Sequence, residues 1–327
     1  MSMTNLEKAA APKFQLPSIN VLGPLVALLL AIIFFSFQHE RFLTVGNFSL
    51  ILQQVSFVAV LGIGQTLIIL TSGIDLSNGV IMALGNILVT KLAVKNGIDP
   101  FVAIAIALSA TTFVGWINGM LITRLNLPPF IATLGMYGIV FGSTQLYSSS
   151  ETMTSLPGAL TFLGETFRIG GAAFTYGTVL MFILFGLTAF VLSNTAPGRH
   201  VYAVGNSPEA TRLMGIPTRR VLLMVYTVAG FIYGIAALIL VARTGVGDPN
   251  AGQTENLESI TAVVLGGTSL FGGRGMVIGT LLGAIIVGVF RNGLTLMGVS
   301  SIYQVLVTGI LVILAVATDQ LSRKGAR

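Results

Sequence analysis

Long apolar runs broken by short polar turns set the pattern of this chain. Runs near 20–37, 50–71, 101–123, 129–147, 174–193, 221–241 and 302–318 each approach the ~20 apolar residues a helix needs to cross a bilayer core. Two shorter runs, 79–94 and 276–293, continue the pattern, and 257–266 is the weakest. Counting all of them predicts ten spans. Eight or nine result if the three short runs are broken or re-entrant helices, which persist at membrane depth only where protein or a cavity covers them. The expected fold is an all-α polytopic membrane protein embedded in the lipid bilayer. It has a tail over 1–18, one transmembrane domain over 19–319 and a second tail over 320–327.

Composition agrees. Of 327 residues, 54% are hydrophobic and only 9% are charged, against about 25% charged in soluble domains. The mean hydropathy is +0.91. There is no cysteine, which excludes disulfides and thiolate metal sites, and His39 and His200 lie far apart. No cofactor or metal is therefore expected. Lys8 and Lys13 precede the first run, but IIFFSFQHERF has no small-residue cleavage site. That run reads as an anchor with its N-terminus inside.

Charge fixes the expected orientation. Ten spans place 11 of the 17 basic residues inside, among them Arg124, Arg199, Arg212, Arg219, Arg220 and Arg274. Most acids, including Glu40, Asp99, Glu151 and Asp248, fall outside. This is the bias of cytoplasmic loops, and it puts both termini in the cytoplasm. The net charge of +6 has the same origin. No basic run interleaved with aromatics points to nucleic acid.

Catalytic motifs are missing. GGTSLFGGRG (266–275) lacks the lysine and Ser/Thr of a phosphate-binding loop and reads as a tight turn between helices. Gly275, Gly279 and Gly283 form GxxxGxxxG, and Gly115/Gly119, Gly138/Gly142 and Gly230/Gly234 repeat that spacing. These are expected to be helix-packing faces. The runs hold uncharged polar groups, including Gln65, Thr66, Asn86, Asn118, Thr133 and Gln304, and little that an ion gradient could act on. Gln65, Asn86 and Asn118, together with Asp75, are candidates for a translocation path or gate. Asp75 stands in TSGIDLSNG between the second and third spans. Two readings stay open: a cap on the following helix, or a gate in a turn that dips into the bundle.

The longest basic inner loop, 194–220, contains a short helix with marked ends. Asn206 is the expected N-cap, Pro208 suits the first turn, and Glu209 reaches back as in a capping box. Gly215 is the expected C′ residue and Pro217 stops the helix. So short a helix needs a surface to pack on, either its own bundle or a cytosolic partner.

GNSPEATRLMGI resembles the cytoplasmic coupling segment of permease subunits of ribose-type monosaccharide ABC importers. ILTSGIDLS, PPFIATLGM, AVVLGGTSLFGGRG and GVSSIYQVLVTGILVILAV resemble other signature stretches of that family in the same order, from about residue 50 onward. The resemblance implies a type II-like ABC importer permease of about ten helices in a bacterial inner membrane, acting as a homodimer. It implies two cytosolic ABC ATPase subunits, a periplasmic sugar-binding protein and a monosaccharide substrate. By the same resemblance Glu209, Ala210, Arg212, Leu213, Gly215 and Ile216 sit at the ATPase interface. Polar loops 148–172 and 242–257 are expected to meet the binding protein. A self-sufficient carrier or channel for a small polar solute is the competing reading.

Overall fold

The computed structural model describes residues 19–324. The expected tail over 1–18 lies outside the described residues. Ten helices cover the ten apolar runs: α1 (Ile19–Gln38), α2 (Val45–Leu70), α3 (Asn78–Val94), α4 (Pro100–Arg124), α5 (Pro129–Ser148), α7 (Tyr176–Asn194), α10 (Thr218–Thr244), α11 (Glu255–Leu265), α12 (Val277–Leu296) and α13 (Ser301–Lys324). Three short helices fill the connections: α6 (Gly158–Thr161), α8 (Ala196–Asn206) and α9 (Pro208–Leu213). Five helices, α2, α4, α7, α10 and α12, are long and apolar enough to cross a membrane. By contrast, α11 has 11 residues, about 16 Å of rise, and reaches only part of the way. Helix α13 continues to Lys324, through the stretch expected to be a tail.

Helix α2 is the axis of the bundle and its side chains are largely buried. Helix α10 packs on α2, α3 and α4, and α12 packs on α1, α2 and α11. Glycines set the closest crossings. A Cβ on Gly115 would lie 2.4 Å from the Tyr226 carbonyl, and one on Gly230 would lie 2.5 Å from the Thr111 carbonyl, so α4 and α10 touch backbone to backbone. Gly279 and Gly283 do the same for α12 against Gly266 and Ala262 at the end of α11. The expectation of packing faces fails at two places. Gly138 and Gly142 have no neighbouring atom within 4 Å and line an open face of α5. Gly275 precedes α12 in a loop with φ +148°, where it meets Thr268. Spacing alone cannot tell which face of a helix is covered.

The all-α expectation needs one correction. A hairpin, β1 (Thr166–Ile169) and β2 (Ala172–Thr175), pairs Thr166 with Thr175 and Ile169 with Ala172. Gly170 and Gly171 form its two-residue turn with φ of +56° and +86°, the left-handed pair that matches the twist of a tight hairpin. The loops flanking α6 and α11 meet at the same end, where Met153 and Gly247 exchange backbone bonds of 2.7 and 2.8 Å. Lys95 bonds the exposed Glu151 there and holds its carboxyl below the usual range.

Candidate gate and coupling segment

The turn from Thr71 to Ser77 leaves α2 and enters the bundle before α3 begins. Gly73 passes so close to α10 that a Cβ would lie 2.5 Å from the Tyr226 hydroxyl. Side chains of five helices then hold the segment. Asp75, 1% exposed, accepts at Oδ1 from the Ser77 N–H (2.7 Å) and the Ser77 hydroxyl (2.6 Å). Asn118 of α4 donates to Ser77 Oγ (2.9 Å). Thr133 of α5 accepts from the Leu76 N–H (3.2 Å) and lies 3.1 Å from the Ile74 carbonyl. Asn256 of α11 donates to the Leu76 carbonyl (2.7 Å). Asn78 donates to Gln65 of α2 and to Ser259 of α11 (3.2 and 2.8 Å). The Tyr233 hydroxyl is near both Gln65 Oε1 and the Asp75 carboxyl.

Asp75 is therefore not the cap of α3. Ser77 holds the N-cap position, and its side chain makes no capping bond. Its hydroxyl is already committed to Asp75. Among the described residues the ion pairs are Lys95–Glu151 and Arg291–Glu258, so Asp75 has no cationic partner. Three of the four predicted path residues, Gln65, Asp75 and Asn118, meet in this cluster. Asn86 does not. It accepts from the Asp248 N–H (3.0 Å) two turns further along α3 and ties down the loop before α11. Gln65 Nε2, Asn118 Oδ1, Tyr226 OH and Asn256 Oδ1 are buried here without a hydrogen-bond partner among the described residues. Leaving such groups buried without a partner is costly. Tyr226 and Tyr233 were readable as a pair, seven residues apart on one helix face. Their neighbours were not.

The coupling segment differs from expectation at its start. Asn206 ends α8, and Ser207 caps α9 by accepting from the Ala210 N–H (3.3 Å). One extended residue serves both helix ends, so Asn206 has no cap to make. Glu209 lies at the second helical position and makes no reach-back bond. The C-terminus follows expectation. Gly215 has φ +82°, its N–H bonds the Arg212 carbonyl (3.0 Å), and the Ile216 N–H bonds the Thr211 carbonyl (3.3 Å), the pair that defines a Schellman end. Thr211 is buried and ties α9 back to the Ala203 carbonyl (2.8 Å). Glu209, Ala210, Arg212, Leu213 and Gly215 are exposed and Ile216 is half-buried. Leu213 is 84% exposed and Met214 68%.

The coupling segment and the buried turn share one junction. Ser72, at φ +63°, donates toward the Gly205 and Phe271 carbonyls (both 2.9 Å). The Gly273 N–H donates to the Leu70 carbonyl (2.9 Å), and Tyr202 donates to the Gly275 carbonyl (2.9 Å). Asp75 follows Ser72 by three positions, at most about 10 Å of chain. Ser72→Gly keeps the left-handed backbone and removes only the hydroxyl bridge. It is expected to leave folding nearly intact, at a cost of about 1 kcal/mol. It is also expected to loosen the turn, measured as faster backbone amide exchange over residues 71–77.

A family model described as the permease component of branched-chain amino acid transport systems matches residues 47–316. The chain belongs to this permease family. A fructose import permease protein of Rhizobium meliloti is 47% identical over 93% of this chain and 86% of its own length. A ribose import permease protein of Bacillus subtilis is 39% identical over 91% and 92%. A galactose/methyl galactoside import permease protein of Haemophilus influenzae is 33% identical over 98% of both chains. No solved structure matches.

Proposed function

We propose that this permease is the membrane subunit of a bacterial ATP-driven ABC importer for a monosaccharide. The observation that carries the reading is the exposed, rigidly ended helix α9, joined through α8 and the Ser72 hydroxyl to the turn that holds the buried Asp75. The sugar-import relatives supply the substrate class. Ten membrane-crossing segments, with α3 and α11 interrupted at depth, put both termini and α9 in the cytosol, where Leu213 and Met214 meet the ATPase subunit. Two copies form the path in the inner membrane, and a periplasmic sugar-binding protein docks at the end bearing the Met153–Gly247 contact. The chain itself is a non-catalytic transport subunit. Rigid-body movement of α8 and α9 is passed through Ser72 to the turn at Asp75, which acts as the gate.

Purification from the native membrane in mild detergent tests this reading. Mass spectrometry is expected to recover an ATPase bearing Walker motifs, and Glu209→Arg is expected to lose it. Gly215→Val places a β-branched residue at a left-handed φ. It is expected to leave insertion unchanged and lower sugar-stimulated ATP hydrolysis roughly tenfold. A chain that purifies alone and transports sugar in vesicles containing nothing else is a self-sufficient carrier, and the ABC reading falls.

A further inference from the structure

Away from α9, at the opposite end of the bundle, α11, α12 and α13 enclose a cavity of about 250 Å³. Its walls include Thr254, Glu258, Phe290, Arg291, Gln304 and Thr308. Arg291 lies 14 residues along α12 from Val277, about 21 Å by helical rise. Val277 follows the loop that touches Asn206. In the proposed orientation the cavity therefore opens in the outer half, on the side from which solute arrives.

The charged pair in this cavity calls for a reason. Arg291 Nη1 lies 3.2 and 3.3 Å from the two carboxylate oxygens of Glu258, and the Glu258 side chain is only 11% exposed. Taking the Glu258 carboxylate out of water is expensive, whereas Arg291 keeps 46% of its side chain exposed, and an ionisable group among apolar helices is by default a functional group. Packing does not require the pair, since α11 and α12 are already locked by the glycine contacts at Gly266 and Gly283. One guanidinium nitrogen serves both carboxylate oxygens, so the remaining Arg291 donors stay available. Gln304 uses Nε2 on Thr295 and the Val299 carbonyl (both 3.1 Å). That fixes its amide and leaves the carbonyl oxygen as an acceptor. Phe290 contributes an apolar wall. Two further charges of opposite sign, Arg243 and Glu255, lie near the pair.

A small, charge-balanced cavity with clustered donors and acceptors and one aromatic wall suits a neutral polyhydroxylated ring, not an anion or a cation. We infer that the Glu258–Arg291 cavity is a subsite for a neutral monosaccharide entering the permease, with the ion pair and Gln304 meeting adjacent hydroxyls. The inference rests on the importer reading and adds the residues that receive the sugar.

The test uses the assembled transporter in lipid nanodiscs without its binding protein. Saturation-transfer NMR is run with fructose, ribose, galactose and glycerol. Transfer to at least one monosaccharide and not to glycerol is expected. Glu258→Gln, which keeps the shape, should weaken that binding roughly tenfold. Thr308→Trp, which fills the cavity, should abolish it. Absent transfer, or transfer unchanged by Glu258→Gln, overturns the subsite, as does displacement of the sugar by anionic lipid headgroups. If the complex with its binding protein still imports sugar, only the subsite falls. If it imports no monosaccharide, the importer reading falls with it.

Discussion

Asp75→Asn lowers sugar uptake by the reconstituted transporter roughly tenfold or more, while the protein inserts and assembles at the wild-type level. The substitution keeps the shape of the turn, because the asparagine Oδ1 still accepts from the Ser77 N–H and hydroxyl. It replaces an ionisable oxygen by an amide donor beside Tyr233. A carboxylate buried without a cation is too costly to serve as a mere turn-former when asparagine would do. Uptake by proteoliposomes, compared with assembly by size-exclusion chromatography, separates the roles. Parallel loss of assembly and uptake would return Asp75 to a purely structural role.

Gly205→Ala has the second large effect. A Cβ there would lie 1.7 Å from the Leu70 carbonyl and 2.6 Å from the Gly273 nitrogen. Backbone cannot yield as a side chain does, so the junction between α8, the end of α2 and the 266–276 loop must open. The expected cost is about 1–3 kcal/mol of stability, with loss of sugar-stimulated ATP hydrolysis in the assembled complex. Gly138→Ala is the control, since nothing lies within 4 Å of that position, and it should match the wild type in thermal melting and hydrolysis. A Gly205→Ala protein indistinguishable from its Gly138→Ala counterpart would show that the junction is not closed in the working protein.

Element positions were legible because burial in lipid demands long apolar runs, and most helix bounds follow those runs within a few residues, with α2 starting five residues early and α13 ending six residues late. Gly215 and Pro217 ended α9 as their chemistry requires. Errors arose where neighbouring residues offer the same local chemistry. Asn206 and Ser207 are both good caps, and only the length of α8 decides between them. Asp75 and Ser77 both suit a helix start, and the choice depends on Asn118 reaching in from α4. The hairpin had a signal, two glycines between FRI and AAF, overlooked amid apolar helices. Glu258 and Arg291 stand 33 residues apart, and no local pattern joins them. Around the buried turn, Gln65 and Asn118 stand out in the sequence as polar residues in apolar runs. That they meet at one turn, and that Asn86 does not, depends on how the helices pack.

The start of α3 and the loop before α11 touch each other. A Cβ on Gly79 would lie 2.0 Å from the Gly252 carbonyl, and one on Gly252 would lie 2.0 Å from the Gly79 carbonyl. Both partners are already the smallest residue, so enlarging one cannot be relieved by shrinking the other. The contact has no second-site suppressor at either position. The start of α3 and the approach to α11 are thereby bound to change together or not at all, and drift along the rest of the chain must leave this pair untouched.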